Sequence, residues 1–445
     1  MLLRFIAENI FSFKDAVEFN TFPSSKSQTH PHHKVDCSHA TVLRLASLYG
    51  ANGAGKSNLL AAINLLQKAV LEGSLDKIGL YDNVAFRFDQ TLKNQPSGIA
   101  IEFFHDDKIY YYHIEFKKGE VLLEELYISK KTRDVEMFRR DGNKIHINED
   151  YLPKGMSNEK YVDVLDRFIR PDMLLLSFFG HYYPNEIKVI TDAFMWFVDS
   201  LRVVLPDTVS GYVPHLLDKH APFRELVNDT MPELKTGISS LEVNKVPVSE
   251  ETVQGNQAMI DAIREARKSP DTPQVVQRMT EAGVEIANIV FEDGQVWQKT
   301  LVSVREDARG HLYKAPISIE SDGTQRLIEY MPLFFAVTKT GGVYVVDEIE
   351  RSVHPILIKS IMQKISSSET AGGQLIFTTH ESGLLDKDIF RPDEIWFAQK
   401  DVDQATKLYP LSDFNVHKTA NLENGYLAGR YGGVPFLSNL NDLHW

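Results

Sequence analysis

The run Gly50-Ala51-Asn52-Gly53-Ala54-Gly55-Lys56-Ser57 sets three glycines, a lysine and a hydroxyl at the spacing that cradles a polyphosphate. Glycines let backbone N–H groups approach the α- and β-phosphates, and the helix that the loop opens turns its positive end towards them. Lys56 is then placed to reach the β- and γ-phosphates, and Ser57 to ligate Mg²⁺ through its hydroxyl. A second group, Asp347-Glu348, ends the apolar run Val343-Tyr344-Val345-Val346. Asp347 at such a strand end suits the Mg²⁺ shell, and Glu348 suits polarising a water that attacks the γ-phosphate. Together the two groups make ATP with Mg²⁺ the expected ligands and ATP hydrolysis the expected reaction.

Other groups carry less information alone. Glu320-Ser321-Asp322-Gly323-Thr324-Gln325-Arg326 opens a helical pattern upstream of Asp347, where a serine hydroxyl and a glycine backbone either bind an anion or cap the helix. Thr378-Thr379-His380 follows an apolar strand and sets His380 at its C-terminal end, where open α/β sheets hold their ligands. His380 there is placed to sense the γ-phosphate or the attacking water, although a lone histidine is more often structural. Ser352-Val353-His354-Pro355 reads as a turn before the next helix. His30, His32, His33, Cys37 and His39 are of metal-ligating types, but their spacing fits no standard zinc pattern and a flexible polar loop is the expectation. Asp401-Val402-Asp403 resembles the acidic pair of a Toprim metal site, and a charged hairpin turn is the better reading.

The elements that must position these groups follow from periodicity. Two short strands flank a turn at Asn9 to Phe13, a polar loop runs from Thr21 to Ala40, and an apolar run from Thr41 to Tyr49 leads through the glycines into a helix over Ser57 to Leu71. Val84 to Ile128 alternates with period two, as an antiparallel β-layer does, and Tyr161 to Val204 and Glu251 to Ala287 read as helical. Helix over Gln325 to Val337, strand Val343 to Val346, helix Leu357 to Ile365 and strand Gln374 to Phe377 then alternate, which implies a parallel sheet with crossover helices. The expected division is an N-terminal part of an α/β ATPase head over 1–150, a mostly helical insertion for dimerisation or partner contacts over 151–300, and the C-terminal part of the head over 301–445.

Composition bounds the rest. The 445 residues are 43% hydrophobic with a net charge of −13, which opposes a whole-surface affinity for nucleic acid and leaves a local basic patch open. The single cysteine excludes an internal disulfide framework. With no run of about 18 apolar residues and no secretory pattern at the N-terminus, the expected compartment is the cytoplasm, without a membrane span.

On these residues the chain resembles the ABC-type ATPases related to the SMC and overcoming-lysogenization-defect (OLD) proteins. The likeness rests on Glu8-Asn9-Ile10-Phe11-Ser12-Phe13, the phosphate loop continued by Asn58-Leu59-Leu60, Asp347-Glu348-Ile349-Glu350 with Ser352-Val353-His354-Pro355, and Thr378-Thr379-His380. Asp393-Glu394-Ile395-Trp396-Phe397, Leu411-Ser412-Asp413-Phe414 and Tyr426-Leu427-Ala428-Gly429-Arg430-Tyr431-Gly432 with Pro435 narrow it to stand-alone bacterial members lacking a Toprim domain. Size and a short insertion are similar to the ATPase subunits of PARIS anti-phage defence systems. The resemblance implies an ABC-type head that acts as a homodimer or higher homo-oligomer. Gly50, Asn52, Gly53, Gly55, Lys56, Ser57 and Asn58 of one copy, with Ser321 and Gly323 of another, would enclose one ATP, and the Ser352 loop would cross the interface. It further implies a separately encoded OLD-like Toprim toxin nuclease as partner and a phage protein as trigger, with hydrolysis by Glu348 and His380. Gln90 and Gln95 are both candidates for a glutamine loop. An SMC-like role in DNA repair or chromosome handling is the alternative, and an ATP-gated scaffold with little turnover is a third.

Overall fold

Leu45–Tyr49 is buried along its whole length, the pattern of a strand covered on both faces. In the computed structural model, which describes residues 1–79, 84–152, 157–208, 210–280, 283–417 and 420–434, it lies inside a six-stranded sheet. The order is Leu201–Val204, Val343–Val346, Gln374–Thr378, Leu45–Tyr49, Ile395–Lys400, Thr406–Pro410. Every neighbouring pair is parallel except the last, an antiparallel hairpin. After Tyr49 the chain passes through the glycines into the helix Lys56–Glu72, whose Leu59, Leu60, Ile63, Leu66 and Val70 are all buried.

A seven-stranded antiparallel sheet belongs to the same unit, in the order Lys144–Ile147, Val135–Asp141, Glu120–Ser129, Lys108–Lys117, Ser97–His105, Leu2–Glu8, Val17–Asn20. It is the expected β-layer, and the inward side chains of its strands join the helix in one apolar core, where Phe103 stacks on Trp196 at 4.2 Å. The fold is thus the mixed α/β one that periodicity implied. Pro435 lies outside the described residues.

The chain divides into two compact units, the first formed by Met1–Pro206, Val337–Ile349 and Ile361–Trp445, the second by Asp207–Ala336 and Glu350–Ser360. Residues 151–300 carry the helices Asn158–Leu165, Leu175–Tyr182 and Lys188–Met195 in the first unit and Val213–Lys219, Ala221–Glu233 and Gln257–Lys268 in the second. The second unit also holds a sheet that periodicity did not reveal. Its order is Ser240–Pro247, Gln295–Glu306, Gly283–Glu292, Gln274–Thr280, with Leu312–Pro316 pairing to Gln295–Glu306. Val275, Val276 and Met279 fit a helical stripe as well as a strand. Strand wins because Val276, Ile289 and Val296 bury the apolar face of Gln257–Lys268, formed by Met259, Ala262, Ile263 and Ala266.

The histidine-rich stretch departs from expectation more sharply. In place of a flexible loop it forms the short turn Pro31–His33 and a hairpin of Lys34–Cys37 with Ala40–Leu43. One ring nitrogen from each of His30, His32 and His33 lies within 4.8 Å of the others. Their Nε2 protons, however, go to main-chain carbonyls: His32 and His33 to Ser366 at 2.8 and 3.0 Å, His30 to Lys387 at 2.7 Å. Arg44 adds bonds to the carbonyls of Ile365, Ser366 and Ser368, so cationic and imidazole donors satisfy the C-terminal end of the helix Pro355–Ser366. The group is a structural brace.

His33 Nδ1 meets the Glu394 carboxyl at 2.8 Å, both fully buried. Burial, aided by the Arg44 guanidinium, pushes the imidazole down to about 3, and burial pushes the carboxyl well above its ordinary range. Folded, the pair therefore holds one proton. Unfolded, it holds one between the ordinary values of 4.5 and 6.5, none above and two below. Its stabilisation is greatest in that window, falls as pH rises because folding must then retain a proton, and falls as pH drops because folding must then shed one. Glu394→Gln keeps a hydrogen bond without the titrating carboxyl. Its thermal midpoint is expected to gain on wild type as pH rises above the ordinary imidazole value of 6.5, whereas a constant difference would mean that the folded pair titrates normally.

Candidate nucleotide site

Three adjacent parallel strands, Val343–Val346, Gln374–Thr378 and Leu45–Tyr49, deliver the sequence-identified groups at their C-terminal ends. Leu45–Tyr49 feeds the glycine loop, on which Asn52 and Gly53 are exposed. Gly55 adopts φ 101°, a conformation that favours glycine, and starts the helix Lys56–Glu72. The buried Lys56 ammonium is held inside the loop by the carbonyls of Gly50 at 2.7 Å and Ala51 at 3.3 Å.

Ser57 Oγ donates to Asp347 Oδ1 at 3.1 Å. A hydroxyl and a carboxylate side by side are the hard oxygen donors that Mg²⁺ takes while phosphates and waters fill its remaining positions, so the residues fit that ion. Thr378 also donates to Asp347 Oδ1, at 2.5 Å, and its hydroxyl accepts the Glu348 N–H at 2.8 Å. One threonine thereby ties the Asp347 carboxylate to the Glu348 backbone. Glu348 is half-buried and left-handed, with φ 51°, a conformation that a side-chain-bearing residue holds only when its surroundings impose it. The Ile349 N–H bonded to the Thr378 carbonyl at 3.1 Å completes that restraint. His380 is exposed directly after the strand, in a turn fixed by Thr379, whose N–H bonds to Leu48 at 3.1 Å and whose hydroxyl accepts from Glu381 at 3.0 Å.

Lys56, Ser57, Asp347, Glu348 and His380 therefore share one sheet edge, while Ser321 and Gly323 belong to the second unit. Ser321 caps the helix Asp322–Phe335 by accepting from Thr324 N at 3.3 Å, and its side chain is exposed. A Cβ at Gly323 would lie 2.4 Å from the Ser352 carbonyl, so the glycine is required where these two loops touch. Ser352 is left-handed with φ 62°, and His354 Nδ1 accepts from Ile356 N at 3.2 Å in the turn that starts the helix Pro355–Ser366. Asp401 closes a hairpin turn by accepting from Asp403 N and Ala405 N, at 2.9 and 3.0 Å, so its carboxylate is engaged as expected of a turn.

Thr378 is the site residue that sequence reasoning passed over. It stood in the Thr378-Thr379-His380 run, read only for its histidine, and its two bonds to Asp347 and Glu348 exist because neighbouring strands bring them together.

A family profile described as "AAA domain, putative AbiEii toxin, Type IV TA system" matches residues 45–386. No curated protein matches. Among solved structures, the chain is similar to an SMC head bound to the C-winged helix domain of ScpA (14% identity, TM-score 0.40, covering 92% of this chain and 97% of that one). It is likewise similar to the SMC head domain from Thermotoga maritima (12%, 0.39, 92% and 98%) and to an Smc head domain with an extended coiled coil derived from Pyrococcus furiosus (12%, 0.41, 92% and 96%). No helix among the described residues is long and apolar enough to cross a membrane. With a phosphate loop, an acidic strand end and a family match over more than half its length, the chain belongs to that AAA-domain family of ATPases.

Proposed function

We propose that this chain is the ATPase of a bacterial anti-phage defence system, in which two ABC-type heads close on ATP and thereby control a separately encoded toxin nuclease of the OLD-like Toprim kind. In each composite site Gly50, Asn52, Gly53, Gly55, Lys56, Ser57 and Asn58 of one copy hold the nucleotide, with Mg²⁺ on Ser57 and Asp347. Glu348 and His380 act on the attacking water, and Ser321 and Gly323 of the second copy cover the γ-phosphate. The observation that carries the ATPase part is the hydrogen-bonded series Ser57, Asp347, Thr378, Glu348, which ties the Asp347 carboxylate to the loop's first helical turn and fixes the Glu348 backbone beside it. The toxin–antitoxin wording of the family description supports a role with a second protein. The engaged Asp401 turn supports placing the nuclease elsewhere, and a phage protein is the proposed trigger.

The test is purification of tagged protein expressed from its native locus, with turnover measured on the same sample with and without DNA. A co-purifying nuclease and DNA-independent turnover are expected. Strong DNA stimulation with no partner would overturn this reading in favour of a repair ATPase.

A further inference from the structure

Beside the nucleotide motifs, a second series of hydrogen bonds ends on the phosphate loop. Thr406 opens the hairpin strand Thr406–Pro410 and is fully buried. Its hydroxyl lies 2.9 Å from the Ala54 carbonyl and 2.7 Å from the Ser12 hydroxyl, and its N–H donates to the Ser12 carbonyl at 2.8 Å. Ser12, also buried, accepts the Asn58 side-chain amide at 2.7 Å. A carbonyl only accepts and threonine has one hydroxyl proton, so Thr406 donates to Ala54 and Ser12 donates to Thr406. The direction of every bond is thus set, from Asn58 on the helix, through the N-terminal turn, to the residue before Gly55. A Cβ on Gly55 would come 2.1 Å from Thr406 Oγ1 and 2.8 Å from Ser12 Oγ, which measures how closely the hairpin presses on the loop.

The Ala54 carbonyl and the Gly55 N–H belong to one trans peptide and point in opposite directions. Holding the carbonyl against Thr406 therefore turns the Gly55 N–H away from the hairpin, and that N–H has no protein acceptor among the described residues. A donor held in place and left without a protein partner is what an anionic ligand needs.

We propose that Thr406, acting through the Ala54–Gly55 peptide and supported by Ser12 and Asn58, is a positioning residue that sets the affinity of the loop for the nucleotide phosphates. The proposal rests on the reading of this loop as the ATP site. Thr406 touches no phosphate in this scheme. It removes the freedom of one peptide plane to rotate, so its effect falls on binding and not on the chemical step.

The test measures ATP affinity, turnover and thermal midpoint on the full-length protein. Thr406→Val keeps the shape and loses the hydroxyl, and Thr406→Ser keeps the hydroxyl. Thr406→Val is expected to weaken ATP binding about tenfold with kcat at saturating ATP within about twofold of wild type, the weight of one buried hydrogen bond, and Thr406→Ser to restore the affinity. A lower thermal midpoint with unchanged affinity would reduce Thr406 to a packing role and overturn the proposal. Should Thr406→Val fail to fold, Ser12→Ala carries the same test, with weakened affinity expected and unchanged affinity overturning it. Lys56→Ala, run in parallel, separates the two levels. If it abolishes binding while Thr406→Val does nothing, only the positioning role falls, and if it too binds normally, the loop is not the nucleotide site.

Discussion

Glu348→Gln is expected to lower ATP turnover by roughly 100-fold or more, leave ATP affinity near that of wild type, and make the protein run as a dimer in ATP with Mg²⁺ by size exclusion. The substitution keeps side-chain volume and the backbone bond from the Glu348 N–H to Thr378, so Asp347 and the Mg²⁺ donors stay as they are. What disappears is the carboxylate that would take a proton from the attacking water. If ATP joins two heads, blocking the step that destroys it leaves the joined state populated. Unchanged turnover with an unchanged oligomeric state would mean that the acidic pair serves the strand end and not the chemistry.

Lys56→Ala should produce the opposite pattern, with ATP affinity reduced roughly 100-fold and no ATP-dependent dimer at any concentration that saturates wild type. Each charge-assisted bond from an ammonium to a phosphate is worth about 1.5–3 kcal/mol, and each 1.4 kcal/mol is tenfold in Kd. The fold should survive, because the Lys56 ammonium bonds to carbonyls of its own loop, Gly50 and Ala51, and alanine is a good residue for the helix Lys56–Glu72. Equilibrium binding with a fluorescent ATP analogue distinguishes the two variants, since Glu348→Gln retains the signal and Lys56→Ala loses it.

The parts legible in sequence were those whose chemistry is local. A phosphate loop needs glycines, lysine and hydroxyl within eight residues, and an acidic pair needs only a buried strand before it, so both could be read before any fold was known. The alternation of helix and strand after Gln325 carried the parallel sheet in the same way. Contacts made across the sheet were not legible. Thr378 lies 31 residues from Asp347, and Thr406 lies 394 from Ser12, and no periodicity links such positions. The histidines of Pro31–His33 were misread for a related reason, since their acceptors are carbonyls more than 330 residues away. The hairpin of Gln274–Thr280 and Gly283–Glu292 was missed because its apolar spacing suits two periods and only the helix it covers decides between them.

If Glu348 drives turnover as proposed, its left-handed backbone sets durability against turnover at a single position. A side-chain-bearing residue there forgoes about 1 kcal/mol that glycine would recover and asparagine would recover in part. A laboratory selection for heat resistance alone would drift towards those two residues, and each would discard the carboxylate on the way. The most thermostable descendants of this chain would then be ones that still grip the nucleotide and no longer consume it.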